Sequence, residues 1–204
     1  MSSNEEEINH IKDQLCLSRL GKKSINDVFF ASYKHVLSID LSSNELKSLD
    51  PETFRPCERL VKLNLSSNQI ERVNPGTFDH CSSLTDLSLA CNRLTRVDEH
   101  YFSNCKSIKI LALNNNSISS LDKFSFRSCD SLVELKLNNN FITSLHPAMF
   151  ESCRNLTTLF VHKNELKHLV LFSLNKLVNL KFRNEHETSP LKGVQEVKCH
   201  YFYP

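Results

Sequence analysis

The chain has 204 residues, 40% of them hydrophobic and 24% charged, with a formal net charge of +2, a balance that suits a folded protein and excludes a disordered tail. So even a balance supplies no clustered basic field of the kind that phosphate neutralisation needs, which argues against nucleic acid as a partner. The three glycines, Gly21, Gly76 and Gly193, are too few for a glycine-rich phosphate loop, and no run of about eighteen apolar residues is present, so no membrane insertion by this chain is expected.

The N-terminal stretch from Met1 to Gln14 is polar and acidic, with Glu5, Glu6 and Glu7 in succession. It lacks the positive start and apolar core of a secretory signal. Asn4 and Glu7 have the spacing of a helix capping box, and Ile8, Ile11 and Leu15 come next at helical intervals. The spacing predicts a short helix over residues 5–14, placed as a lid on the first coil of the chain.

Beyond this segment the chain is measured by a 24-residue ruler. Asparagines recur at Asn44, Asn68, Asn92, Asn116, Asn140 and Asn164, and phenylalanines at Phe30, Phe54, Phe78, Phe102, Phe126 and Phe150. Cysteines keep the same step at Cys57, Cys81, Cys105, Cys129 and Cys153. Each unit reads LxxLxLxxNxLxxLxxxxFxxCxx, with full copies at 36–59, 60–83, 84–107, 108–131 and 132–155 and a shortened one at 156–176. A degenerate unit precedes them, with Leu15, Leu17, Ile25 and Phe30 in register but Leu20 in the Asn slot. Another comes after them, where Leu177, Leu180 and Phe182 fit and Glu185 replaces the Asn. The chain therefore divides into an N-terminal capping segment with its degenerate repeat (1–35), six repeats (36–176), and a degenerate repeat with a C-terminal capping segment (177–204). In that last segment Val194, Val197, Tyr201, Phe202 and Tyr203 are available to cover the final coil.

Each slot has a physical reason. The LxL core alternates, so it predicts a short strand with leucines inward and their neighbours outward. The Asn carboxamide can both donate to and accept from backbone groups that a turn would otherwise leave buried and unpaired. Phe and Cys fall on the return side and fill the space beneath it. No unit can bury its own apolar face, so the units require one another.

The pattern resembles the leucine-rich-repeat family, in the 24-residue class found in Toll-like receptor ectodomains and small leucine-rich proteoglycans, over about residues 36–176. The resemblance implies an α/β repeat solenoid, a horseshoe with a concave parallel β-sheet and an irregular or short-helical convex side. It also implies a non-catalytic, receptor-like module for protein–protein interaction, with a role in signal transduction. Extracellular relatives usually carry cysteine-rich caps, whereas Cys16 and Cys199 stand alone here. The compartment stays open on this basis: extracellular or cell-surface by resemblance, cytoplasmic by the missing signal and caps. One function is a receptor, adhesion or matrix-protein fragment that recognises a macromolecular partner. The alternative is an intracellular scaffold or ubiquitin-ligase substrate adaptor. A third is the targeting region of an enzyme whose catalytic domain lies elsewhere.

Candidate chemistry is sparse. The cysteine ladder reads as a set of small buried hydrophobes, and disulfides between neighbouring coils are the competing reading. Cys91, just before Asn92, is the best candidate for a reactive thiol. No CxxC occurs and none of the nine histidines forms an HExxH or a close Cys/His cluster, so neither a metal site nor a cofactor is expected. No Ser, His and acid constellation is indicated, and no catalytic residue is assigned. Three N-glycosylation sequons, at Asn64, Asn115 and Asn155, carry little information in a chain this rich in Asn, Ser and Thr.

The strand alternation assigns the outward positions directly. The early units offer Ser38, Asp40 and Ser42, then Lys62, Asn64 and Ser66, then Asp86, Ser88 and Ala90. The later units offer Ile110, Ala112 and Asn114, then Glu134, Lys136 and Asn138, then Thr158, Phe160 and His162, with Lys181 and Arg183 extending the edge. An exposed aromatic among charged neighbours has the character of a protein-binding hot spot. The expected partner surface is therefore Ile110, Glu134, Lys136, Thr158, Phe160 and His162.

Overall fold

The structure, a computed structural model, describes residues 9–11, 13–166 and 181–183. Its strands are β1 (Asn9–Ile11), β2 (Gln14–Cys16), β3 (Ser38–Asp40), β4 (Lys62–Asn64), β5 (Asp86–Ser88), β6 (Arg96–Val97), β7 (Ile110–Ala112), β8 (Ser120–Leu121), β9 (Glu134–Lys136), β10 (Thr158–Phe160) and β11 (Lys181–Arg183). One α-helical turn, α1 (Asp27–Phe30), has its N-terminus capped by the Asn26 side chain, which accepts from the Phe29 N–H at 3.1 Å.

Among the described residues, β1, β2, β3, β4, β5, β7, β9, β10 and β11 form one sheet in that order. From β2 onward every pairing is parallel, and the ruler sets the register: Ile39 opposes Leu63, Leu63 opposes Leu87, and so on to Leu159 opposite Phe182. The central residue of β3, β4, β5, β7, β9 and β10 is buried while its neighbours are partly exposed, as period-two alternation requires. The return side is built mostly of turns, with the two-stranded β6–β8 pair and the 3-10 segment Pro147–Phe150. This is the curved solenoid that the repeat pattern implies.

The N-terminal lid differs from expectation. Where the described residues overlap the predicted helix they form a hairpin, β1 running antiparallel to β2 with His10 opposite Leu15. The helical spacing of Ile11 and Leu15 loses to the alternation of Leu15 and Leu17, both fully buried as the first coil of the stack. With β2 recruited into the sheet, β1 pairs backbone groups that an open edge would leave exposed. Residues 5–8 and 12 of that predicted helix lie outside the described residues, as do residues 167–176 of the shortened repeat, Leu177, Leu180, Glu185 and the proposed C-terminal covering residues from Val194 to Tyr203.

The Asn ladder stitches each coil to the one before it. Asn92 donates from Nδ2 to Leu65 O at 2.9 Å in the preceding coil and to Leu89 O at 3.1 Å in its own, while its Oδ1 accepts from Ile70 N at 3.0 Å. Asn68, Asn116 and Asn140 repeat the scheme. Asn44 also serves the degenerate first coil, accepting from Leu20 N at 3.1 Å where that coil has no Asn of its own.

Immediately before each ladder Asn, and before Leu20 in the Asn slot of the first coil, the backbone enters the left-handed region. Arg19, Ser43, Ser67, Cys91, Asn115, Asn139 and Lys163 all have φ between 54° and 61°. This ladder of turns bends each strand toward the return side, at a conformational cost for any residue other than Gly or Asn.

Behind the sheet the phenylalanines form a continuous spine. Ring centroids from Phe54 through Phe78, Phe102 and Phe126 to Phe150 are 6.2–6.4 Å apart and near-parallel. The five cysteines of the ladder are buried free thiols beside it, which is the role of small apolar fillers. Burial pushes the thiols of Cys57, Cys105 and Cys153 up to about 12, and those of Cys81 and Cys129 well above the ordinary range.

Candidate functional site

Because the inward leucines are locked in register, the residues flanking them form straight rows across the concave sheet. One row passes through Ser38, Lys62, Asp86, Ile110, Glu134 and Thr158, and the next through Asp40, Asn64, Ser88, Ala112, Lys136 and Phe160. Neighbours in a row belong to adjacent strands, about 4.8 Å apart. Side chains separated by 24 positions in sequence are therefore in contact range.

The early coils leave an open depression of about 500 Å³, lined by Asp40, Lys62, Asn64, Asp86 and Ser88 and reaching Ile110, Ala112 and Lys136. Several of its polar side chains are engaged locally. The Asp40 and Asn64 Oδ1 atoms accept from the N–H of Ser42 at 2.8 Å and of Ser66 at 3.1 Å. Asn64 is half-buried in this face, so the sequon there would set a glycan on the concave sheet.

The six residues singled out from the sequence lie together on β7, β9 and β10 and the turn after β10. Glu134 Oε1 and Lys136 Nζ are 3.0 Å apart. The same ammonium stands 5.8 Å from the Phe160 ring centroid, and Phe160 meets His162 edge-on at 6.4 Å and 76°. Ile110 is 37% exposed beside Glu134, with Thr158 on the other side of Glu134. Phe160 is half-buried, not the exposed aromatic that the alternation suggests. The reason is cross-strand: every residue of its row, from Asp40 to Lys136, is likewise half-buried between neighbouring coils. A partly exposed ion pair contributes at most about 1 kcal/mol, and an exposed cation–π contact about 0.5–1 kcal/mol. Together they fix side-chain positions more than they stabilise the fold.

Other features carry weaker sequence signals. Phe141 is 52% exposed in the slot after Asn140, where other units carry Glu45, Gln69, Arg93, Ser117 or Glu165. That substitution in an otherwise polar slot is its only trace. Cys91, the predicted reactive thiol, is exposed at one of the left-handed positions, and Cys16 is a second exposed thiol that sequence reasoning missed. Asn115 is exposed and Asn155 is exposed on the return side, where its Nδ2 donates to Asp130 O at 3.0 Å. Among the described residues, no group of three or more metal-binding side chains converges, and no helix is long and apolar enough to cross a membrane.

A search of curated proteins finds no matching relative. Solved structures do match. A chain of the Toll–Spatzle complex, a hub in Drosophila development and innate immunity, is 26% identical with a TM-score of 0.76, covering 84% of this chain and 23% of its own length. A leucine-rich-repeat protein of Leptospira interrogans is 25% identical with a TM-score of 0.72, covering 82% of this chain and 41% of its own. A chain of the TLR13–ssRNA13 complex, 24% identical with a TM-score of 0.67, covers 86% of this chain and 29% of its own, a likeness of fold alone. The present chain thus spans between 23% and 41% of these proteins. Folds of this kind commonly mediate protein–protein interaction through their extended concave surfaces and are generally non-catalytic. The profile described as Leucine rich repeat matches residues 14–70, 34–90, 82–140 and 130–186, and the chain belongs to that family.

Proposed function

We propose that the chain is a non-catalytic recognition module that binds a protein partner on the later coils of its concave sheet. The observation that carries this reading is the Glu134–Lys136–Phe160–His162 contact chain, which sets an aromatic ring among charged groups and beside the exposed Ile110. Partly covered aromatics with neighbouring polar groups are the kind of anchor on which protein interfaces concentrate their energy. A paired Glu and Lys leave the patch without a dominant charge, which favours a protein surface over a polyanion. No catalytic residue, metal or cofactor enters this reading.

The test is photo-crosslinking from two faces. A benzophenone amino acid is placed at Ala112 on the concave sheet or at Glu58 on the return side, and the source extract is irradiated. Capture of a defined protein from Ala112 but not Glu58 is expected, reduced about tenfold by Phe160→Ala, the equivalent of about 1.4 kcal/mol. The same variant should lower Tm by only a few degrees, roughly the shift of 1 kcal/mol in a chain of this size. Equal capture from both faces, or capture indifferent to Phe160→Ala, overturns the proposal.

A further inference from the structure

The triplet Asn114-Asn115-Asn116 is repeated one coil later as Asn138-Asn139-Asn140. Asn116 and Asn140 are spent in the core ladder described above. Asn115 and Asn139 occupy left-handed positions at φ 55°, which Asn tolerates better than most residues. They also bond each other, Asn139 Nδ2 to Asn115 Oδ1 at 2.7 Å. Asn114 and Asn138 have neither excuse. Both are half-buried on the concave side, without positive φ, and among the described residues neither carboxamide makes an intramolecular hydrogen bond. The equivalent slots in earlier coils are filled by Ser42, Ser66 and Ala90, so the fold does not demand an amide there.

We propose that these carboxamides read the main chain of an extended polypeptide segment laid across the later coils, with Phe160 seating one of its side chains. The inference rests on the concave-face reading above and names the form in which the partner presents itself. A carboxamide carries the same donor and acceptor groups as a peptide unit, so it can pair with a main-chain N–H and C=O whatever the side chain. Asn114 and Asn138 are uncommitted, and the Asn139–Asn115 bond still leaves an acceptor on one partner and donors on the other. Adjacent coils bring the pair within about 4.8 Å of sheet spacing, close enough for one extended strand to meet both. A sugar is the poorer fit. The nearby Glu134 carboxylate, which could bridge two hydroxyls, is paired with Lys136, and one aromatic ring alone offers no second stacking face.

The experiment selects a random 12-residue phage-displayed peptide library on the full chain and measures fluorescein-labelled winners by anisotropy. The variant Asn114→Ser/Asn138→Ser copies the earlier coils and should leave Tm unchanged. It is expected to weaken every selected peptide at least tenfold, irrespective of its side chains, whereas Phe160→Ala should discriminate among them. Main-chain N-methylation of the peptide at its central residues should cost as much as the double variant, with the two losses not adding. Peptides sensitive to Phe160→Ala but indifferent to the double variant would overturn main-chain reading and leave the concave binding face standing. Peptides indifferent to both sets of changes overturn both readings. Asn-dependent binding to a glycan array with no peptide selected would replace the polypeptide by carbohydrate and so overturn the proposal.

Discussion

The early and late coils share one backbone and differ in what they show to solvent. From β3 to β5 the concave rows carry Ser38, Lys62, Asp86, Ser88 and locally satisfied Asp40 and Asn64, around an open depression. From β7 to β10 the same rows carry Ile110 beside Glu134, which pairs with Lys136, whose ammonium faces Phe160, with the half-buried Asn114 and Asn138 following on the same face. Beneath both, the Asn stitches and the Phe spine are unchanged. The lesson is a division of labour: the inward slots are held constant by packing, so the outward slots can diverge at little cost to stability.

If the core is indifferent to that divergence, equivalent core changes at either end should cost the same. Asn68→Ala and Asn140→Ala each remove bonds to two buried carbonyls and an N–H, as Asn68 to Leu41 O at 3.0 Å and Asn140 to Leu113 O at 3.0 Å. Each should destabilise the chain by about 3 kcal/mol, on the scale of a few orphaned buried polar groups. Urea unfolding checks this. A much smaller loss at one end would show that the two halves are separate cooperative units, which is a known behaviour of repeat arrays.

The thiols give a second, smaller test of the same uniformity. A cysteine whose folded pKa lies near 12 stays protonated in the native state while its unfolded form ionises from about 9. The unfolded state therefore binds fewer protons between those values. Each such thiol's contribution is fully present below about pH 9 and is lost as pH rises toward about 12. Cys105→Ala and Cys153→Ala should each flatten the alkaline decline of stability by about 1.4 kcal/mol per pH unit within that window. Denaturant midpoints at a series of alkaline pH values measure it, and an unchanged slope in either variant would mean that its thiol ionises as readily folded as unfolded.

The sequence and the structure part company only where contacts cross coils or where the ruler fails. The ladders of Leu, Asn, Phe and Cys declared strand, stitch, spine and filler because each slot is repeated and each has one chemical solution. The site was half legible. Alternation put Ile110, Glu134, Lys136, Thr158, Phe160 and His162 on one face, but the half-burial of Phe160 and the approach of Lys136, 24 positions away, arise between coils and are written in neither strand. At the N-terminus, Ile11 and Leu15 fitted a helix and Leu15 and Leu17 fitted a strand, and the pull of an open sheet edge decided between them. The left-handed ladder was the least visible. Arg19, Ser43, Ser67, Cys91 and Lys163 have no shared chemistry that announces a positive φ, and only Asn115 and Asn139 are residues that favour it.

That last contrast again separates early coils from late ones, and it yields the smallest effect. Ser43, Ser67 and Cys91 hold φ of 55–57° without the tolerance that Asn brings, whereas Asn115 and Asn139 hold 55° and bond each other besides. Cys91→Asn should relieve part of the conformational cost, about 0.5 kcal/mol out of the roughly 1–2 kcal/mol that the left-handed region imposes. The new carboxamide would also adjoin Asn115 as Asn115 adjoins Asn139, one coil further along the ladder. Cys91→Gly gains the same backbone freedom but enlarges the entropy of the unfolded chain, so it should be nearly neutral. Cys91→Val, β-branched at a positive φ, should lose about 1 kcal/mol or more. Urea midpoints ordered Asn above Gly above Val would place the strain at this backbone position. Cys91→Asn falling below the parent would mean instead that the exposed thiol is held for its own contacts, and that early and late coils differ in their turns as well as on their faces.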